Sequence, residues 1–276
     1  MPVYNGEKFI REALDSLLAQ TFTDFELIIS DNASTDRTGM ICREYGKNDK
    51  RIRYFRQPEN KGALFNFNFV LKQADGQYFM WAAHDDKWDS NWIEKALINF
   101  RENAAVSFGH VMSINTDGKV VRTYKYYPFS KNKTLRLIQF FLRQEAYGKA
   151  NVFYGIYNLS FLKAHQNKLS SQDTYFVDMH FIFDLAQYGE IITDQSIKLY
   201  KRIKDTESKI MRKSGSVEMF KTLFLIDYIK YYSFYITIPK NLILKVIILI
   251  LFPIKYLFSI TYSWTKIFKS LLFYPQ

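Results

Sequence analysis

The stretch Phe25-Glu26-Leu27-Ile28-Ile29-Ser30-Asp31-Asn32-Ala33-Ser34-Thr35-Asp36 decides the fold. Its first half is a short apolar run that suits a buried strand, and its second half is a polar turn. Ser34, Thr35 or Asp36 can cap a helix predicted over Asp36–Tyr45. Upstream, Glu7–Gln20 spaces Phe9, Ile10, Ala13, Leu14, Leu17 and Leu18 along one helical face. Downstream, Arg51–Arg56 reads as a strand, Ala63–Ala74 as a helix and Gln77–Ala83 as a buried strand. Such alternation implies an α/β fold with parallel strands and right-handed crossovers. Ligands of such sheets bind beyond the carboxyl ends of the strands.

That rule selects Tyr4 and Asn5, Asp31 and Asn32, and His84-Asp85-Asp86. A single acid at a strand end is often only a turn former. The pair Asp85-Asp86 asks for more, because adjacent carboxylates repel and a divalent cation bridging to a diphosphate relieves the repulsion. Oxygen ligands of this kind suit Mg²⁺ or Mn²⁺. The sequence has neither a GxGxxG nor a Walker A lysine loop, so a metal bridge is the economical remaining way to hold phosphate.

Composition bounds the partners. The chain has 276 residues, 48% hydrophobic and 24% charged, enough for a sizeable core. One cysteine, Cys42, excludes a disulfide framework and a cysteine zinc site and fits a reducing compartment. A net charge of +11 favours an anionic partner. The excess is uneven: residues 221–276 hold seven lysines against Asp227 alone. A basic tail of that apolar character does not resemble a nucleic-acid surface, so no nucleic acid is expected as a partner. No signal-peptide pattern opens the sequence, and the body reads as cytoplasmic.

Several motifs, taken in order over residues 1–205, resemble the family 2 inverting glycosyltransferases of bacterial polysaccharide biosynthesis. Met1-Pro2-Val3-Tyr4-Asn5-Gly6 is similar to that family's first strand and nucleotide loop. Leu27 to Asp36 resembles its second strand, and Asn60-Lys61-Gly62 with Asn66, Ala74, Gly76 and Tyr78 its next helix and strand. Trp81-Ala82-Ala83-His84-Asp85-Asp86-Lys87-Trp88 stands where the family has its DxD motif. Asp178-Met179-His180 to Gly189 resembles the helix that begins with the catalytic base.

The resemblance implies a GT-A fold, a Rossmann-like and mostly parallel sheet flanked by helices. It implies a glycosyltransferase domain over 1–205, with a donor-binding half over 1–103, an acceptor half over 104–205, and a helical region over 206–276. Donor contacts fall on Pro2, Tyr4, Asp31, Asn60, Gly62 and Asp85, and the metal, Mg²⁺ or Mn²⁺, on Asp85 and Asp86. Asp178 becomes the general base, with Asp173 its rival, and Lys204 a diphosphate contact where many relatives have His. The implied reaction moves a sugar from a UDP- or dTDP-sugar to a hydroxyl of a glycan or lipid-linked acceptor. Ala83 replaces the first DxD acid, which leaves open a non-catalytic nucleotide-sugar-binding or scaffold relative. His84 reads as a hydrogen bonder behind the acids, and Trp81 and Trp88 as either sugar platforms or core.

The middle predicts a strand over Ala104–Ile114, a turn at Asn115–Gly118, a partner strand over Lys119–Thr123, a helix over Leu135–Arg143 and a strand over Val152–Tyr157. In the tail, the uncharged run Val246–Ile254 has 9 residues and Tyr256–Thr265 has 10, both short of the ~20 that a span needs. At ~100° per residue, Lys240, Lys255, Lys266 and Lys269 fall within an arc of about 80°. The pattern reads as an interfacial helix on an anionic membrane surface, which would keep the protein peripheral on the inner face of the cell membrane. A helix packed on the enzyme's own core and a spanning hairpin or re-entrant segment are its rivals.

Overall fold

The structure is a computed structural model that describes residues 1–124, 126–143, 148–165, 177–203, 233 and 235–273. The first unit is a parallel three-stranded sheet in the order β1 (Pro2–Val3), β2 (Leu27–Asp31), β3 (Ile52–Arg56). Its register pairs Val3 with Asp31 and Asp31 with Arg56, so the loops leaving all three strands emerge along one edge. Helix α1 (Ile10–Leu18) buries Ile10, Ala13, Leu14 and Leu17, the i, i+3, i+4, i+7 positions of its face. Helix α2 (Thr38–Asn48) starts where the Asp36 carboxylate accepts the Thr38 amide at 3.0 Å, and it buries Cys42. Helix α3 (Ala63–Gln73) follows, so the alternation expected over this half is observed within a few residues.

The second sheet corrects the expectation of a mostly parallel one. It runs β4 (Tyr78–Met80), β8 (Ile156–Asn158), β6 (Ala104–Ile114), β9 (Glu190–Arg202), β5 (Lys87–Trp88), with β7 (Val120–Tyr124) on β6. Only β6 and β9 pair in parallel; the β4–β8, β6–β8, β6–β7 and β5–β9 pairs are antiparallel. The Asn115–Gly118 turn is tight enough for a direct β6–β7 hairpin, which permits antiparallel pairing without a crossover helix. The strand expected over 152–157 also starts later: Lys149–Tyr154 is a 3₁₀ turn, and β8 begins at Ile156.

Helices α4 (Trp92–Ile98), α5 (Lys133–Leu142), α6 (Leu159–His165) and α7 (Val177–Leu185) pack around this sheet. An aromatic cluster fills the space between sheet and helices. Trp81 is fully buried, stacks on Phe153 at 4.5 Å, and donates its indole N–H to the Phe67 carbonyl. Trp88 is 4% exposed. Both tryptophans are therefore core, and the sugar-platform alternative is set aside.

The last element, α8 (Leu242–Phe273), corrects the reading of its lysines. Lys255 lies inside the protein, where its ammonium donates to the carbonyls of Leu142 and Arg143 at 3.3 and 2.8 Å. It satisfies the C-terminal end of α5 in place of facing solvent with an outer basic arc. Among the described residues, no helix is long and apolar enough to cross a membrane.

Candidate active site

The loops at the edge of the first sheet are tied to one another by side chains. Asn5, at φ 50°, accepts the Thr35 amide on its side-chain oxygen at 2.8 Å and donates its own amide to Ser34 Oγ at 2.9 Å. Gly6 donates to Thr38 Oγ1 at 2.7 Å. Asp31 is fully buried: one carboxylate oxygen accepts the Ser34 amide, and the other accepts Tyr54 Oη and Arg56 Nη1, all at 2.8 Å. Burial, with Asp31 beside it, pushes the Tyr54 phenol up to about 12, so Tyr54 stays a donor at neutral pH. Asn32 clips the next loop, donating to Asn60 Oδ1 at 2.7 Å and accepting the Lys61 amide at 3.1 Å. Gly62 adopts φ +82°, open to glycine and costly to other residues. Of the residues expected to meet a donor, Tyr4 is exposed at this edge and Pro2 is buried within β1.

The acid pair adjoins the same edge. A Cβ on Gly6 would lie 2.5 Å from the His84 ring, so His84 packs directly against the loop after β1. Asp85 and Asp86 then enter β5, which runs antiparallel to the end of β9 with Lys87 opposite Tyr200. That register sets the pair against Lys201 and Arg202. Asp86 is 2% exposed, and one of its oxygens accepts the Arg202 amide at 2.8 Å. The other oxygen is buried with no protein partner. Burial, and then the charge of Asp85, raise the Asp86 carboxyl to about 7 against the partial relief given by Lys201 and Arg202.

Arg202 fixes this turn. Its guanidinium donates to the Asp85 carbonyl at 3.0 Å, to the carbonyls of Asn115 and Thr116 at 3.0 and 3.2 Å, and to Glu12, while lying 4.2 Å from the centre of the Phe9 ring. Glu12 also accepts Lys87 Nζ at 2.6 Å.

Lys201, one residue earlier, is directed to the other side of the strand. Its ammonium donates to Asn151 Oδ1 at 3.1 Å and lies 5.0 Å from the centre of the Tyr154 ring. Asn151 is oriented in turn by donating to Tyr126 Oη at 3.0 Å, and Tyr126 donates to the Gly148 carbonyl at 2.8 Å. Burial alone would lower the Lys201 pKa, but the fields of Tyr154, Asp86 and Asp178 outweigh it and the net direction is upward. Asp178 sits in the first turn of α7, partly buried, and accepts the Met179 amide at 2.8 Å. Its charge also acts on the buried phenols of Tyr154 and Tyr157. The charges of Asp86 and Asp178, distant in sequence, thus both act on Lys201.

Sequence reasoning missed Lys201, Asn151, Arg202 and Glu12. Lys204 was expected to meet the diphosphate, yet which cation of its segment meets the acids depends on the β5–β9 register, which no local pattern encodes. Lys204 and Asp173 lie outside the described residues. No group of three or more His, Cys, Asp or Glu side chains placed to hold a metal ion occurs among the described residues. The acid pair nevertheless fits a hard divalent cation. Asp86 offers a buried carboxylate oxygen with no protein partner, Asp85 stands next to it, and Mg²⁺ commonly takes one or two carboxylates with phosphate oxygens.

Comparison with known proteins points the same way. Residues 1–166 match the family model described as glycosyl transferase family 2. An uncharacterized glycosyltransferase of Rickettsia typhi is 43% identical over 97 residues, 35% of this chain and 29% of that protein. Glycosyltransferase GlyA of Streptococcus pneumoniae is 34% identical over 118 residues, 42% of this chain and 16% of the relative. TuaG of Bacillus subtilis, named for teichuronic acid biosynthesis, is 35% identical over 130 residues, 47% of this chain and 52% of TuaG. The matches thus span about half of one of these relatives and less than a third of the other two. Among solved structures, S. aureus TarS residues 1–349 with UDP-GlcNAc superpose with a TM-score of 0.56 at 22% identity, covering 79% of this chain and 64% of TarS. Mannosyltransferase PcManGT of Pyrobaculum calidifontis, bound to GDP-Man and Mn²⁺, gives 0.61 at 15% identity over 100% of this chain and 74% of its own. At these identities the likeness establishes the fold, which is α/β and GT-A-like.

Proposed function

Because the chain belongs to glycosyl transferase family 2, we propose that it transfers a sugar, with inversion, from a nucleoside-diphosphate sugar to a hydroxyl of a cell-surface glycan acceptor. The observation that carries this reading is the acid pair beside the loops of the first sheet, where Asp86 offers a buried carboxylate oxygen with no protein partner and Asp85 stands next to it. Asp178, whose charge acts on Lys201 as that of Asp86 does, supplies the base that a single displacement requires.

In that displacement the acceptor oxygen bonds to the anomeric carbon as the carbon–oxygen bond to the diphosphate breaks. The acceptor proton goes to Asp178, and the bonding electrons leave with the nucleoside diphosphate. Asp85, with Asp86 beside it, would hold Mg²⁺ or Mn²⁺, which when bound offsets the growing charge of the leaving diphosphate. Lys201 keeps the space between the two acidic sites cationic, and Asn151 holds its ammonium in place. Donor contacts belong to the half over 1–103, through Tyr4, Asp31, Asn60 and Gly62, and acceptor contacts to the half over 104–205. A UDP- or dTDP-sugar is the favoured donor, supported by the UDP-GlcNAc bound to TarS. The acceptor is lipid-linked, which places the protein in the cytoplasm on the inner membrane face.

Asp178→Asn tests the reading: donor binding by calorimetry is expected to persist while transfer falls at least ~100-fold. Unchanged transfer would remove Asp178 as the base. Ala83, in place of the first DxD acid, supports a second reading, a non-catalytic nucleotide-sugar-binding relative. Binding without turnover in the presence of acceptor would select it.

A further inference from the structure

Among the described residues, helix α8 carries an exposed apolar face. Leu242, Ile243, Val246, Leu249 and Ile250 are 47–74% exposed. Their spacing of three, four and seven residues aligns them along one side of the helix. The opposite side is the one that packs: Leu244, Ile248 and Lys255 are buried, and Lys255 is bonded to the carbonyls of Leu142 and Arg143 at the end of α5. The helix is thus fixed to the body of the protein by an inward lysine, with its outward side greasy. A stripe of large aliphatic side chains this long marks an interaction surface in a protein handled by water.

Charge selects the occupant. Residues 221–276 carry one acid and seven lysines, of which Lys255 is turned inward; the excess that remains attracts an anionic surface and repels a second copy of this region. Lys240 is exposed just ahead of the helix, and Lys245 is partly exposed within its first turn. A helix that is apolar on one side, basic in composition and unable to cross lies in the plane of a bilayer interface.

We propose that the outward stripe of α8 is the surface by which this protein lies on an anionic lipid bilayer. The Lys255 clamp to α5 then fixes the orientation of the catalytic body relative to that bilayer. This deepens the reading of a lipid-linked acceptor and rests on it for its purpose, though not for its physics.

The test is co-sedimentation of the full chain with phosphatidylcholine vesicles, with and without phosphatidylglycerol, with nucleotide-sugar binding measured in the same samples. The wild type is expected to pellet with the phosphatidylglycerol vesicles. The Ile243→Ser/Val246→Ser/Ile250→Ser triple variant, altered only at exposed positions, is expected to lose at least ~10-fold in partitioning while binding donor as the wild type does. Equal partitioning of wild type and triple variant would overturn the proposal. So would a wild-type dimer in vesicle-free solution that the triple variant converts to monomer, since the stripe would then belong to a second copy. Vesicle binding without donor binding by the wild type would leave this surface standing and count against the glycosyltransferase reading alone.

Discussion

At the scale of single residues, Asp86 and Lys201 decide how the site behaves. Asp86 titrates near 7 in the folded protein, far above the ordinary carboxylate value of 3.8. The native state therefore holds a proton that the unfolded state releases between these values, and stability falls as pH rises through that window. Without divalent cation, the thermal midpoint of the wild type is expected to drop from pH 5 to pH 8 relative to that of Asp86→Asn, as calorimetry would show. Mn²⁺ should close the gap, because a cation beside Asp86 favours its ionised form. Lys201→Met is expected to lower kcat by at least ~10-fold with little change in donor KM, and Lys201→Arg to restore part of the loss. A purely structural lysine would show a fall in stability with unchanged kcat. The acid pair was legible in the sequence because an apolar strand ends directly on it. Lys201 was not, because Asn151, which accepts from its ammonium, and Asp178, whose charge acts on it, come from a 3₁₀ turn and a helix start.

At the scale of elements, the site depends on how the end of β9 meets β5 and on how the loop after β1 meets His84. Arg202 is 6% exposed and satisfies three carbonyls and Glu12. Arg202→Met removes this buried donor from the carbonyls, while Glu12 is exposed and keeps Lys87. The substitution is expected to cost about 1–3 kcal/mol of stability by denaturant unfolding. Gly6→Ala brings a methyl to 2.5 Å from His84 and 2.8 Å from Val3. It should cost about 1–3 kcal/mol and weaken donor binding by displacing the turn that carries Asp85. The alternating elements up to β4 were readable because each buries a continuous apolar run or a helical face of its own. β5 was not, since two residues, Lys87 and Trp88, carry no periodicity and pair only because β9 offers an edge. Lys255 misled for a related reason: helical phase groups it with the other lysines, but phase alone does not say which side of a helix faces the protein.

At the scale of the whole molecule, two sheets of different character meet at one functional edge. The parallel sheet supplies the loops around Asp31 and Asn60, and the mixed sheet supplies the acid pair, Lys201 and, through the 3₁₀ turn, Asn151. The excess positive charge is uneven, since residues 221–276 hold seven lysines against one acid. If that region meets an anionic bilayer as proposed, vesicle binding should weaken as salt rises, over the range in which the Debye length falls below ~10 Å. The central claim is that Asp85 and Asp86 serve nucleotide-sugar chemistry. Its most direct test is nucleoside diphosphate release from a panel of nucleotide sugars, in Mn²⁺, Mg²⁺ or EDTA, by the wild type and Asp85→Asn. Release from one donor that requires the cation and is lost in Asp85→Asn is expected. Release that persists undiminished in EDTA and in Asp85→Asn would contradict the claim.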